Sequence, residues 1–209
     1  MRYANRTAAG QALATKLTPL EGHLDVIALG LPRGGVPVAA AVATRLRIPL
    51  DVLVVRKLGV PWHRELAMGA IAASGVRVLQ DRVIKRAGVR PYEIEAVAIK
   101  EAEELERQEQ VYRAGAPPLD LDGRTALVID DGLATGASML AAIRAAKALG
   151  AARVIAAAPV GAADTIRHLG DDADDVVVHH VPIELRSVGQ WYDDFGQVAD
   201  ADVLRALGR

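Results

Sequence analysis

The sequence predicts an α/β protein built on an open, doubly wound parallel sheet, and three observations carry that expectation. Short apolar runs, among them VIALGL at 26–31, LDVLVV at 50–55 and TALVI at Thr125–Ile129, are continuous rather than alternating, as in strands covered on both faces. Stretches of helical, often alanine-rich composition stand between them, the alternation expected of βα units. A hydrophobic fraction of 51% in 209 residues supplies one substantial core, enough for a single domain with appendages.

Taken in order, 26–31 is the first strand and 36–46 the helix that follows it. A second strand at 50–55 leads into a Gly- and Pro-containing stretch that runs to about Glu65. Residues 67–79 hold a strand pair broken at Ser74-Gly75. The segment 91–115 reads as one long charged helix, with glutamates in its first half and Arg107 and Arg113 later, an order the helix dipole favours. Its charged surface is either a solvated face or an oligomer contact. After Thr125–Ile129 a helix spans about 137–149 and stops at Gly150, the usual glycine position beyond a helix end. Strands at 153–158 and 175–178 close the series. The tail after Pro182 is irregular and ends in a short helix capped by Asp200.

Composition removes several function classes. Lys and Arg total 25 against 26 Asp and Glu, so a net charge of -1 gives no bulk attraction to nucleic acid or an anionic membrane. Any anion must be held by local geometry. There is no cysteine, which excludes disulfides, thiolate catalysis and Cys-ligated metals. The opening MRYANRTAAGQALATKL lacks the apolar stretch of a signal peptide, and no segment is apolar for long enough to cross a bilayer. The expected compartment is the cytoplasm.

The chemistry concentrates in ALVIDDGLATGASML. A buried strand ends in Asp130 and Asp131, and Gly132, Leu133, Ala134, Thr135 and Gly136 turn the chain into a helix that opens with Ala137 and Ser138. In an open parallel sheet, ligands sit beyond the carboxyl ends of the strands. The unpaired N–H groups and dipole of a helix N-terminus favour an anion there. Two carboxylates would repel that anion unless they address another part of the ligand, and vicinal ribose hydroxyls suit them as donors. The implied ligand is a sugar 5-phosphate. Walker A and the dinucleotide fingerprint G-x-G-x-x-G are both absent.

LVIDDGLATGAS resembles the phosphoribosyl-diphosphate (PRPP) binding signature of type I phosphoribosyltransferases. The likeness to stand-alone members of that superfamily extends through MRYANRTAAGQALA, LPRGGVPVA, VRKLGVPWHRELAMGAIA and VGQWYDDFG. The resemblance implies a type I phosphoribosyltransferase-like core at about 24–180, with a small hood from about 1–20 plus 181–209. It implies that Asp130 and Asp131 contact the ribose hydroxyls and that Gly132 to Ser138 hold the 5-phosphate. LPRGG becomes the diphosphate loop, with Arg33, Gly34 and Gly35 as ligands and a non-proline cis peptide near Arg33-Gly34. Arg56 and Lys57, at the carboxyl end of the 50–55 strand, join them as diphosphate ligands and complete the catalytic set with the two acids.

Residues 58–66 occupy the place of a mobile loop that would exclude water from an oxocarbenium-like centre. Within it Trp62, His63, Arg64 and Glu65 have no assigned roles and are either contributors or loop surface. The implied reaction displaces diphosphate from PRPP by a nitrogen nucleophile. Mg2+ would be held mainly by substrate oxygens, with no direct protein ligand. His179-His180 does not suggest a metal site, because adjacent strand residues point opposite ways.

The acceptor is not identified by these motifs. Trp191, Tyr192 and Phe195 cluster in VGQWYDDFG although aromatics are 3% of the chain. Trp191 and Tyr192 are therefore candidates to stack on a flat acceptor, or else form a plug that pins the tail. The expected partners are PRPP and a small-molecule acceptor, with neither nucleic acid nor membrane, and a homodimer is one arrangement open to the long helix. A PRPP- or nucleotide-binding sensor on the same fold is the alternative to an enzyme.

Overall fold

A computed structural model describes residues 2–72 and 75–209 of the chain, without the side chain of Glu65. Ser74, the expected break in the strand pair, lies outside the described residues. The elements run α1 (Arg6–Ala14), β1 (Val26–Gly30), α2 (Gly35–Leu46), β2 (Leu50–Val52), β3 (Val55–Val60), β4 (His63–Ala72), β5 (Arg77–Leu79), α3 (Asp81–Ala87) and α4 (Pro91–Tyr112). They continue with β6 (Thr125–Ile129), α5 (Ala137–Ala148), β7 (Arg153–Val160), α6 (Ala163–Leu169), β8 (Asp175–His180) and α7 (Asp200–Ala206).

The parallel sheet has the order β2-β1-β6-β7-β8. Its continuous apolar runs divide cleanly between two faces. Ile27, Leu29, Ala126, Val128, Val154 and Ala156 pack with Met139, Ile143 and Ala146 of α5. The intervening Val26, Ala28, Leu127, Ile129, Ile155 and Ala157 pack with Leu13 of α1 and Val38, Val42 and Leu46 of α2. The chain leaves β1 toward β2 and returns across it to β6, so the strand order reverses between β1 and β6. That reversal point is where such sheets bind ligands.

The expected second strand is corrected here. The run 50–55 is two strands: β2 ends at Val52, and the chain bends away before β3 begins at Val55. Arg56 and Lys57 therefore sit inside β3, paired in register with Ile71 and Ala70, rather than at the end of a parallel strand. The expected loop at 58–66 is an antiparallel hairpin whose last pair is Val60 with His63, closed by Pro61 and Trp62. Leu58, Val60 and Met68 point inward from it onto Ile94, Ala98 and Leu105 of α4, which also touches α7. Helix α4 thus buries one stripe and is not solvated all round.

The segment before α1 pairs with the tail that precedes α7. Tyr3 bridges Tyr192, its N–H donating to Trp191 O (2.8 Å) while Asp193 N–H donates to Tyr3 O (2.8 Å). Asp200 is not the cap of α7 but its first residue. The Ala199 N–H is met instead by the Asp202 carboxylate (3.1 Å), leaving Asp200 to accept from the Tyr112 hydroxyl (2.5 Å).

Candidate functional site

At the reversal point the loops after β1 and β6 press directly on each other. A Cβ at Gly34 would lie 2.1 Å from Asp131 Oδ2, and one at Gly35 would lie 2.5 Å from Ile129 O and 2.9 Å from Asp130 Cα. Only glycine permits this approach. The loop has one cis peptide bond, Pro32–Arg33, one residue before the expected position at Arg33-Gly34.

The two acids have different surroundings. The Asp130 carboxylate accepts from the Asp131 N–H (2.8 Å) and otherwise opens on a cavity. The Asp131 carboxylate is held by Arg6, whose Nε and Nη2 each lie 2.9 Å from Oδ2. Arg6 is fixed in turn by Gly196 O (2.9 Å) and by the Phe195 ring, 4.0 Å beneath its guanidinium. The Asp131 carbonyl accepts from the Tyr192 hydroxyl (2.6 Å). Burial, and then the neighbouring Asp131 charge, push the Asp130 carboxyl well above the usual range.

The sign of the stability effect follows. A carboxyl whose folded pKa is raised contributes stability that is fully present below its unfolded pKa of about 4 and is lost as pH rises through the folded value. Replacing Asp130 by Asn is therefore expected to flatten part of the decline in melting temperature between pH 5 and pH 8, measured by calorimetry without ligand. A decline of unchanged slope would contradict the assignment to Asp130.

After the acids the chain makes an anion-ready turn. Gly136, at φ 71°, precedes α5, and no side chain caps that helix. The first-turn N–H groups of Ala137 and Ser138 therefore face outward, and Thr135 and Ser138 are exposed. Leu133 departs from its expected role: its side chain is buried in the core and its N–H is spent on Val160 O (2.9 Å). Ala134 lends its carbonyl to the Thr165 hydroxyl (2.6 Å). The other expected phosphate-loop residues are Gly132, on the near side of Leu133, and Ala134 to Ser138, leading into α5.

A cavity of about 590 Å³ extends outward from this point. Asp130 and Ser138 line its floor, Leu31 and Pro32 one edge, Arg56, Lys57 and Arg64 the hairpin wall, and α4 the opposite wall. Arg56 is already engaged, giving Glu101 Oε2 two bonds at 2.8 and 2.6 Å. That pairing ties hairpin to helix while Arg56 lines the cavity. Arg33 does not line the cavity, and its guanidinium lies 3.8 Å from Asp200. Trp191 and Tyr192 do not line it either. Tyr192 is buried beneath Asp131, and Trp191 packs on His180 with ring centroids 4.7 Å apart. Phe195 and Tyr192 of the aromatic tail therefore buttress Arg6 and Asp131.

The geometry agrees with what known proteins show. A family model described as the phosphoribosyl transferase domain matches residues 4–189. The chain belongs to that family. It is 45% identical over 207 residues to two Mycobacterium tuberculosis proteins named "Putative phosphoribosyl transferase", MT0597 and Rv0571c. Those matches cover 99% of this chain and 46% of each relative, so the chain spans about half their length. Among solved structures, TT1426 from Thermus thermophilus is 40% identical with a TM-score of 0.89, covering 99% of this chain and 98% of that one.

In this phosphoribosyl transferase domain, sequence reasoning missed two contributors. Arg6 was visible only as part of the opening NRTAAG, with nothing in the spacing to tie it to an acid 125 residues later. The cavity-lining residues of α4, including Tyr92, Lys100 and Gln108, carry the polar character of a solvated face. Of the hairpin residues with open roles, Arg64 reaches the cavity, whereas Trp62 and His63 lie beside a separate groove with Arg82 and Arg86. Glu65 falls outside the described side chains. His179 is tied by Nδ1 to the Tyr3 hydroxyl (2.8 Å).

Proposed function

We propose that the chain transfers the 5-phosphoribosyl group of PRPP to a nitrogen acceptor and releases diphosphate. The single observation that supports this most is the meeting of Asp130 with Ser138 of the uncapped α5 N-terminus on one cavity floor. A ribose with its diol on Asp130 and its phosphate on the cradle from Ala134 to Ser138 matches that pairing of acceptor and donor groups. The acceptor nitrogen's lone pair forms the bond to C1, the C1–O bond breaks with its electron pair leaving on diphosphate, and the nitrogen's proton is lost to water. The protein's share is positioning and charge stabilisation.

Arg6 would hold Asp131 in place. The Pro32–Gly35 turn and Lys57 would border the diphosphate, with the Arg33 guanidinium released from Asp200 as the anion enters. Mg2+ would be held mainly by substrate oxygens, and Asp130, whose carboxylate opens on the cavity, is the residue that would help to hold it. When bound, it would offset the diphosphate's charge. We also propose that 1–20 and 181–209 act as one hood around the core at 24–180, since Tyr3 and Tyr192 pair across the two ends. No helix among the described residues is long and apolar enough to cross a membrane, which is compatible with a cytoplasmic enzyme.

The test is diphosphate release from PRPP and Mg2+ across a panel of nucleobases and amides. Release that depends on one acceptor class is expected. PRPP binding without release on any acceptor would transfer the site to a sensor.

A further inference from the structure

Helix α4 turns one stripe to the cavity and another to the core. Tyr92, Glu93, Ala96, Val97, Lys100, Glu101 and Gln108 face the cavity at helical spacing, while Ile94, Ala98, Leu105 and Tyr112 are buried. On the cavity side, Glu93 is engaged with the Arg90 N–H (2.8 Å) and Glu101 with Arg56. The side chains of Lys100 and Arg64 make no ion pair or hydrogen bond among the described residues. The apolar Pro61, Ala96 and Val97 and the exposed ring of Tyr92 line the same cavity.

We propose that this outer region is the acceptor subsite and that it takes a small nitrogen-containing acid, its carboxylate held by Lys100 and Arg64 and its body against Val97, Pro61 and Tyr92. The proposal rests on the phosphoribosyl transfer reading for the identity of the cavity floor. The charge balance favours it over a neutral acceptor. With Glu93 and Glu101 satisfied by their own arginines, the region offers an incoming molecule cations and apolar surface but no open carboxylate to accept from an amide. Its position also favours the acceptor over the diphosphate. The diphosphate would lie toward the Pro32–Gly35 turn, whereas Lys100 stands about two and a half turns into α4.

The experiment uses matched probes, nicotinate against nicotinamide and orotate against uracil, titrated calorimetrically into the free protein and into protein with ribose 5-phosphate. At least one acid is expected to bind tenfold or more tightly than its neutral partner. Lys100→Gln and Arg64→Gln should each weaken that acid about tenfold or more, the scale of one charged hydrogen bond, while the rise in melting temperature given by PRPP and Mg2+ stays as in the wild type. Equal binding of acid and neutral partner in both pairs would overturn the proposal. So would a loss of the PRPP-induced rise in either variant, which would give these cations to the diphosphate. Failure of the underlying reading looks different: the wild type itself would show no rise with PRPP and Mg2+.

Discussion

Asp130→Asn is expected to abolish the thermal stabilisation that PRPP with Mg2+ gives the wild-type protein, and at pH 8 to raise the melting temperature of the ligand-free protein. The first effect follows from polarity. A ribose diol donates two hydrogen bonds, and a carboxylate with one bond already made to the Asp131 N–H still has lone pairs for both. An amide presents a single oxygen and a donor that would face the diol. Losing charged hydrogen bonds of about 1.5–3 kcal/mol each lowers affinity by about two orders of magnitude. A ligand at one hundred times its dissociation constant stabilises by about 2.7 kcal/mol, whereas at its dissociation constant it gives about 0.4 kcal/mol. At about 2–4 °C per kcal/mol for a chain of this size, a rise of roughly 5–11 °C shrinks to about 1 °C.

The second effect follows from burial. Asp130 is ionised at pH 8 at a cost, beside another acid, and a neutral isostere removes that cost. Asp131→Asn should act oppositely on the free protein, because it strips Arg6 of its only carboxylate partner among the described residues. Scanning calorimetry of both variants with and without ligand reads all four values. A full ligand-induced rise in Asp130→Asn would sink the ribose assignment.

Much of this site was legible because its strands are buried on both faces. Such strands leave continuous apolar runs, and the residues just after a run stand where ligands bind. LPRGG and DDGLATGAS follow β1 and β6 in that way, and both sit at the reversal point of the sheet. The hairpin was not legible for a related reason. The apolar run from Leu50 to Val55 continues through a bend, so periodicity cannot tell one strand from two. That single ambiguity misplaced Arg56 and Lys57 and turned the end of β3 and the start of β4 into a loop. The α4 wall was hidden because a helix stripe facing a polar cavity has the composition of one facing water. Tyr192 and Trp191 were visible as a cluster, but a ring that stacks on a ligand and one that closes over Asp131 look alike in sequence. Leu133 escaped because a signature fixes residue order, not which N–H is already spent.

Gly34→Ala and Gly35→Ala should fail in different ways, although they are adjacent and chemically the same change. The new methyl at 35 would meet backbone on β6, Ile129 O at 2.5 Å and Asp130 Cα at 2.9 Å. Neither atom can rotate away, so β1 and β6 must separate at their carboxyl ends. Overpacking of this kind costs about 1–3 kcal/mol, and since the clash is with main chain the upper end is expected, a fall of roughly 6–12 °C in melting temperature. At 34 the methyl meets a side chain, Asp131 Oδ2 at 2.1 Å, with Arg6 Nε at 3.3 Å. A carboxylate can swing aside, so the fold should lose less. But the swing breaks the Arg6 bond that fixes Asp131 and disturbs the acid pair at the ligand. Gly34→Ala should therefore retain most of its melting temperature yet lose the rise given by PRPP and Mg2+, while Gly35→Ala should melt early and keep a rise in proportion to the protein still folded. Should the two variants melt alike and respond alike, the close packing of the LPRGG turn against the aspartates would not be what shapes this site.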